Sequence, residues 1–408
     1  MQCGLLGRHL GHSYSPQIHK MLANYDYQLF ELEPELLGDF LRSDKFDGIN
    51  VTIPYKKTVI PYCSVLTDCA RSLGAVNTII RKPDGTLIGH NTDYYGFQFM
   101  LRQSRLSVLG KKALVLGSGG ASATVNAVLT EAGADVIIIS RSGANNYNNL
   151  ELHYDAAIIV NTTPVGMYPD TGLSPIDLKH FHALEGVFDL IYNPARTRLL
   201  QMAKEKGVIA MNGLTMLVAQ AKEAAQCFTD NHIPDEKILS IHRTLQKQME
   251  NIILIGMPGC GKSTIGKALA HAVGKQFVDA DSEIEKESGI SIPQILSERG
   301  ESAFREMETR VLTRLCKESG YVIATGGGCV TRDNNFEIIR QNAQVFWIKR
   351  KLDELPTEGR PLSKSTDLTD MYRIREPMYK KFSDYEIDNS GVIDHAVKQI
   401  LDKWEEHL

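Results

Sequence analysis

No C-x-x-C pair occurs in this chain, and its seven cysteines are scattered and odd in number, so neither a zinc site nor a disulfide framework is indicated. Long apolar runs are missing as well. None approaches the roughly 20 residues of a membrane-spanning helix, and Met1-Gln2-Cys3-Gly4 lacks the basic start and apolar stretch of an export signal. Blocks of like charge are also absent. The 45 Lys and Arg against 49 Asp and Glu leave a net charge of −4, which indicates neither a nucleic-acid surface nor a polybasic membrane patch. These absences lead to the expectation of a cytoplasmic protein with small-molecule partners, no nucleic acid and no membrane; monomer and homodimer stay open. What is present is the balance of ordinary globular domains, 43% apolar and 23% charged over 408 residues. At about 100 to 200 residues per domain, two or three are expected.

The sharpest signal is Gly256-Met257-Pro258-Gly259-Cys260-Gly261-Lys262-Ser263, which fits the phosphate-cradling pattern G-x-x-x-x-G-K-[ST] at every fixed position. Asn251 to Ile255 before it reads as a buried strand, and Thr264 to Val273 after it has helical spacing. In that order the loop N–H groups and the helix N-terminus face one anion, Lys262 adds a point charge, and the Ser263 hydroxyl suits Mg2+. The motif alone predicts ATP or another nucleoside triphosphate. Downstream, Phe277 to Asp281 reads as a strand whose two carboxylates, Asp279 and Asp281, share a face at i and i+2. Paired acids there suit Mg2+ and a hydroxyl. A helix over Glu301 to Lys317 carries Arg305, Gly326-Gly327-Gly328 follows a strand, Arg360 lies in a polar segment, and Arg375 precedes Pro377 and Tyr379.

A second nucleotide signal lies upstream. Lys111 to Leu116 reads as a buried strand, followed by Gly117-Ser118-Gly119-Gly120-Ala121-Ser122, a helix, and a second strand over Asp135 to Ile139. This βαβ context supports a dinucleotide-binding turn of Rossmann type, although Ser122 replaces the third glycine. Past the second strand stands Ser140-Arg141-Ser142, where an NAD enzyme would carry Asp or Glu. A cation there suits a 2′-phosphate, so NADP(H) is expected over NAD, with Arg141 and Ser140 or Ser142 as contacts.

The first hundred residues hold four short motifs that are weak singly: His12-Ser13-Tyr14-Ser15-Pro16, Asn50-Val51-Thr52-Ile53-Pro54-Tyr55-Lys56, Gly74-Ala75-Val76-Asn77-Thr78 and Gly89-His90-Asn91-Thr92-Asp93. Most lysines are solvated surface charges, and Lys56 alone would be read so. Together and in this order the four resemble the substrate domain of shikimate dehydrogenases. The resemblance implies that Ser13, Ser15, Thr52, Asn77 and Asp93 hold the ring hydroxyls and carboxylate, and that Lys56 and Asp93 form the catalytic pair. Such a pair makes chemical sense, because hydride addition to a ketone creates an alkoxide that an ammonium can protonate. The resemblance continues through Asn161-Thr162-Thr163-Pro164, Asp189-Leu190-Ile191-Tyr192-Asn193-Pro194 and Asn212-Gly213-Leu214-Thr215-Met216-Leu217-Val218-Ala219-Gln220. It implies that Thr162, Gly213 and Met216 line the cofactor and that Tyr192 and Gln220 approach the substrate. On spacing alone Leu214, Met216 and Leu217 read as helical core.

Residues 251 to 408 resemble shikimate kinases along almost their whole length, through the D-x-D pair, the F-R helix, G-G-G, R-P-L and R-x-P-x-Y. The resemblance implies that Asp281 binds and deprotonates the acceptor hydroxyl, that Arg305 and Arg375 hold its carboxylate, and that Gly326, Gly327 and Gly328 line its ring. It also implies that Lys262 and Arg360 meet the phosphates with Gly256, Gly259, Gly261, Ser263 and Thr264, and that Ser263 and Asp279 serve Mg2+. The segment Arg350 to Gly359 is shorter than the usual lid. The expected fold is α/β: a substrate domain over 1–100 completed by 213–246, a Rossmann NADP domain over 101–212, and an NMP-kinase-like P-loop domain with a parallel sheet over 250–408. The expected function is NADPH-dependent reduction of 3-dehydroshikimate followed by ATP-dependent phosphorylation of shikimate. Two alternatives stay open, a quinate-preferring dehydrogenase and a P-loop part that only senses nucleotide.

Overall fold

The computed structural model describes residues 1–11, 13–355 and 368–407. Three separate sheets organise them. The first contains β1 (Gln2–Gly7), β2 (Asp26–Glu31), β3 (Gly48–Val51), β4 (Val65–Leu66), β5 (Thr78–Arg81) and β6 (Leu87–His90). Its order is β2-β1-β3-β5-β6-β4, and it is mixed, with β5 antiparallel to both β3 and β6. The second contains β7 (Lys112–Leu116), β8 (Asp135–Ile139), β9 (Ile158–Asn161), β10 (Gly186–Asp189) and β11 (Ile209–Asn212), all parallel in the order β11-β10-β9-β7-β8. The third contains β12 (Asn251–Ile255), β13 (Gln276–Asp279), β14 (Tyr321–Ala324), β15 (Ala343–Lys349) and β16 (Tyr385–Asp388), parallel in the order β13-β14-β12-β15-β16.

The composition of these strands explains their placement. All residues of β12 and β9 are buried and β7 is nearly as enclosed, as expected where helices cover both faces of a parallel sheet. Each Gly-rich loop leaves the carboxyl end of a strand flanked by neighbours reached in opposite directions, β9 and β8 for β7, β14 and β15 for β12. Ligand crevices of open α/β sheets form at such points.

The residues group into two compact units. The first is Met1–Val165, Ser174–Tyr192 and Met202–Thr244; the second is Gly166–Leu173, Asn193–Gln201 and Leu245–Leu408. In the first, the helix Leu214–Thr229 lays Ala224 and Phe228 against Cys3 on β1. In the second, the segment 193–201 joins the kinase-like residues because Arg196 donates to the carbonyls of Arg340 and Ala343 and to the Glu250 carboxylate. Among the described residues no helix is long and apolar enough to cross a membrane.

One local expectation is corrected. Asp281 does not continue the strand: β13 stops at Asp279, whose carboxylate caps the helix Ala280–Ser288 by accepting from the N–H groups of Asp281 and Ser282. An Asp at the N-cap satisfies donors that the helix cannot, so the chain turns there and the i, i+2 parity is lost. The helix carrying Arg305 is as expected: the run Ile292–Lys317 is broken at Gly300, whose φ of +78° is not helical, so a separate helical stretch precedes the one that begins at Glu301.

Candidate active sites

In the first unit, backbone hydrogen bonds bring the scattered motifs together. Val51 N–H donates to Asn77 O, Val76 N–H to Lys56 O, and Asn77 N–H to His90 O. The outcome is a contact that sequence spacing could not reveal: Lys56 Nζ lies 2.6 Å from Asp93 Oδ2, with side-chain exposures of 22% and 12%. Asp93 opens the helix Asp93–Ser104, where the helix N-terminus favours a carboxylate. Asn77 is buried and meets Thr92, accepting its N–H at 2.7 Å and donating Nδ2–H to its hydroxyl at 3.0 Å. Ser13 Oγ accepts from Ser15 N–H at 3.2 Å, and Ser15 is buried at the start of the first helix. Thr52 is half-buried, with its N–H on Leu6 O. Gln220 donates to Leu217 O and lies 3.5 Å from the Thr92 hydroxyl, so it reaches the same polar turn. Tyr192 packs edge-on against Tyr14 at 6.1 Å, and burial raises its phenol pKa.

The dinucleotide-type turn keeps its expected shape. Gly117 has φ +111°, and a Cβ there would come within 2.7 Å of Thr162 Oγ1, so a side chain is doubly disfavoured. Thr162 itself donates to Leu116 O at 2.7 Å. Gly119 is the N-cap of the helix Gly120–Glu131, whose first turn, including Ala121, carries no acid. The turn therefore offers N–H groups to an anion without an opposing charge. Ser122 is buried beneath it, and its hydroxyl has no partner among the described residues. Past β8, Ser140 is half-buried while Arg141 and Ser142 are exposed. Gly213 is the N-cap of Leu214–Thr229, and Met216 is 8% exposed and packed with Phe97, Val115 and Phe188, as helical spacing alone suggested.

In the second unit, the phosphate-type loop, the two acids, both arginines and the three glycines line one cavity of about 640 Å³. Lys262 is buried and donates to the carbonyls of Gly256 and Met257 at 2.9 and 3.0 Å. Ser263 Oγ donates to Asp279 Oδ2 at 2.6 Å. Gly259, Gly261 and Thr264 complete the cavity's loop wall. Arg375 donates to Gly327 O at 3.2 Å, while Arg305 bonds Glu301 and, at 2.8 Å, the fully buried Glu308. A Cβ on Gly328 would run into the Arg305 guanidinium, so a side chain there would displace that group from its present position. A Cβ on Gly326 would sit 2.7 Å from Asp281 Oδ1 and 2.5 Å from Glu308 Oε1, so both oxygens converge on this glycine. Neither has a hydrogen-bond partner among the described residues. Burial, then Glu308, then Asp279 push the Asp281 carboxyl up to about 6, against Lys262 and Arg305. Burial likewise raises Glu308.

Sequence reasoning missed Glu308 and Asn389. Glu308 lies three residues after Arg305 and shares its helix face, a spacing that could have found it. Asn389, 129 residues from the loop, donates to Cys260 O at 2.7 Å and had no local signal. Arg360 and the last part of the shortened lid, 356–359, lie outside the described residues.

Known proteins match both units. A shikimate dehydrogenase of Clostridium perfringens is 36% identical over 245 residues, which are 55% of this chain and 90% of that protein. The chain belongs to the shikimate dehydrogenase family. A second shikimate dehydrogenase, from Shouchella clausii, is 35% identical over 275 residues, 60% of this chain and 99% of its own length. A family model described as the shikimate dehydrogenase substrate binding domain matches residues 5–79, and one described as shikimate kinase matches residues 258–405. The chain thus joins shikimate dehydrogenase and shikimate kinase domains. Among solved structures, a chorismate mutase/shikimate 5-dehydrogenase fusion protein from Clostridium acetobutylicum is 38% identical with a TM-score of 0.57, covering 60% of this chain and 96% of that one. The Thermus thermophilus shikimate dehydrogenase in complex with NADP(H) and shikimate is 30% identical with a TM-score of 0.55, covering 60% and 99%. Both likenesses fall on the dehydrogenase part of the chain.

Proposed function

We propose that the chain catalyses two consecutive steps, NADPH-dependent reduction of 3-dehydroshikimate to shikimate and MgATP-dependent phosphorylation of shikimate. The observation that carries the first step is the Lys56–Asp93 pair at 2.6 Å, with the two side chains only 22% and 12% exposed. A bound reduced nicotinamide supplies hydride to the ketone. Lys56 then donates a proton from Nζ to the developing alkoxide, and Asp93 holds both the ammonium and the substrate hydroxyl. Ser13, Ser15, Thr52, Asn77, Tyr192 and Gln220 orient the substrate in this reading. Gly117, Gly119, Gly120, Ala121, Thr162, Gly213 and Met216 take the cofactor, and Ser140, Arg141 and Ser142 its 2′-phosphate. Arg141→Ala is expected to raise KM for NADPH about tenfold while leaving NADH nearly unchanged, since only NADPH carries the dianion that a guanidinium grips. An equal loss for both cofactors would remove Arg141 from that role.

For the second step, Ser263 and Asp279 present adjacent hard oxygens of the kind Mg2+ accepts, often with water between. Held by these oxygens, Mg2+ would supply positive charge to offset that of the phosphate groups. Asp281 takes the proton from the acceptor hydroxyl, Arg305 and Arg375 hold the carboxylate, and Lys262 with Arg360 faces the transferred phosphoryl group. One sheet for each of 1–100, 101–212 and 250–408, with Leu214–Thr229 packed on the first, supports three domains with those boundaries. The test is mass spectrometry of a mixture of protein, 3-dehydroshikimate, NADPH and MgATP. Shikimate 3-phosphate is expected; accumulation of shikimate with ATP unconsumed would reduce the second unit to a nucleotide sensor.

A further inference from the structure

A buried line of polar side chains runs behind the Lys56–Asp93 pair, and the reading above leaves it without a task. Tyr27 OH donates to Asn50 Oδ1 at 2.7 Å, and Asn50 Nδ2 donates to Thr78 Oγ1 at 3.0 Å. Thr78 Oγ1 lies 3.2 Å from both Asn77 Oδ1 and Thr92 Oγ1. The line is sealed at its outer end by His19, stacked on Tyr27 at 4.0 Å with the rings 11° apart. Thr78 is 0% exposed, Asn77 and Thr92 3% and Asn50 5%, so solvent is poorly placed to replace the bonds made at Thr78, while Tyr27 is half-buried.

The direction of each bond follows from the donor inventory. Asn50 spends its carbonyl on Tyr27 and an N–H on Thr78. The Thr78 hydroxyl therefore accepts from behind, and its single proton goes forward to Asn77 Oδ1 or Thr92 Oγ1. Asn77 Oδ1 also takes the Thr92 N–H, which fixes the amide against a flip. One Nδ2 proton of Asn77 goes to Thr92 Oγ1, and the other has no acceptor among the described residues. Thr92 is the N-cap of the helix that Asp93 opens, so whatever holds Thr92 also holds the backbone of the carboxylate against Lys56.

We propose that Thr78 is a positioning residue for the reduction: its hydroxyl, backed by Asn50 and Tyr27, locks Asn77 and Thr92 so that Asn77 offers an N–H to the substrate and Asp93 stays against Lys56. This inference rests on the reductase reading. The rival is a hydroxyl that merely satisfies buried neighbours, which would cost stability on removal but not the chemistry.

The experiment compares wild type, Thr78→Val, Thr78→Ser and Tyr27→Phe by steady-state reduction of 3-dehydroshikimate and by thermal melting. Thr78→Val keeps the shape and deletes the hydroxyl. Its kcat/KM for 3-dehydroshikimate is expected to fall about 10- to 100-fold, as for misplaced catalytic groups, with KM for NADPH unchanged. Thr78→Ser is expected to recover most of that loss, and Tyr27→Phe to show a smaller loss of the same kind. A Thr78→Val enzyme that melts lower but reduces like wild type overturns the inference, as does a Thr78→Ser enzyme as impaired as Thr78→Val. Should Thr78→Val lose its cooperative melt, Tyr27→Phe decides: a folded variant with wild-type kcat/KM sinks the proposal. Failure of the wild type itself to reduce 3-dehydroshikimate would instead remove the underlying reading.

Discussion

Lys56→Ala is expected to lower kcat/KM for 3-dehydroshikimate by about 10²- to 10⁴-fold, the usual contribution of a positioned proton donor, while shikimate phosphorylation by the same chain stays within about twofold. The first half follows from geometry: Nζ is held 2.6 Å from Asp93 Oδ2, and the two lie 37 residues apart in sequence. The pair is only 22% and 12% exposed, so bulk water is poorly placed to deliver the proton in place of Lys56. Folding should survive. Alanine leaves Asp93 at a helix N-terminus, where partial positive charge and some solvent still support the carboxylate. The second half follows from Lys56 and the phosphate loop belonging to different compact units with different sheets. Paired assays of both activities on one preparation check it. Loss of both would show that the two activities are not separable, and retained reduction would remove Lys56 as the donor.

The second large effect concerns Asp281, where activity and stability should move in opposite directions. Its carboxyl is pushed up to about 6 from an ordinary 3.8, first by burial, then by Glu308 and Asp279. An acid with a raised folded pKa holds its proton while the unfolded chain has already released it. Its presence therefore costs stability as pH rises from about 4 to 6, and that cost persists above. At pH 7.5 the cost is about 2–3 kcal/mol. Asp281→Asn cannot ionise and is expected to recover about 1–3 kcal/mol of stability at pH 7.5, read as a higher melting temperature, with the gain vanishing near pH 4. Phosphorylation should fall about 10²-fold or more, because the acceptor hydroxyl loses its base. In the wild type, kcat/KM for shikimate should decline below about pH 6 as the carboxylate takes up its proton. A variant that phosphorylates normally, or that melts lower at pH 7.5, contradicts this account.

Much of this was readable from residues alone. The β12 strand, its loop and the following helix are local patterns: a β-branched run, glycines at fixed offsets and good helix formers, each acting within a few residues. The same holds for β7 and its turn. Residues that meet through tertiary structure were readable only through resemblance or not at all. Lys56 and Asp93 were paired by likeness to a family, and their contact depends on β3, β5 and β6, which bring three of the four motifs together. Asp281 was misplaced because strand parity was extended two residues too far. The signal against it was present, since Asp279 followed by Ala-Asp-Ser is a helix start. Glu308 could have been found from its spacing to Arg305. Asn389 and the Tyr27–Asn50–Thr78 line could not, because their partners lie many residues away and their side chains are ordinary in isolation.

The resting position of Lys262 bears on selectivity. Its ammonium is bonded to two carbonyls of its own loop, so the charge is already satisfied before any ligand arrives. A small monovalent anion such as chloride would have to break those bonds and return a single contact, a poor exchange. A chain of phosphates returns many oxygens at once, to the ammonium and to the loop N–H groups together. The loop should therefore favour a polyphosphate, whose several oxygens can replace both carbonyl bonds of Lys262 and meet the loop N–H groups together.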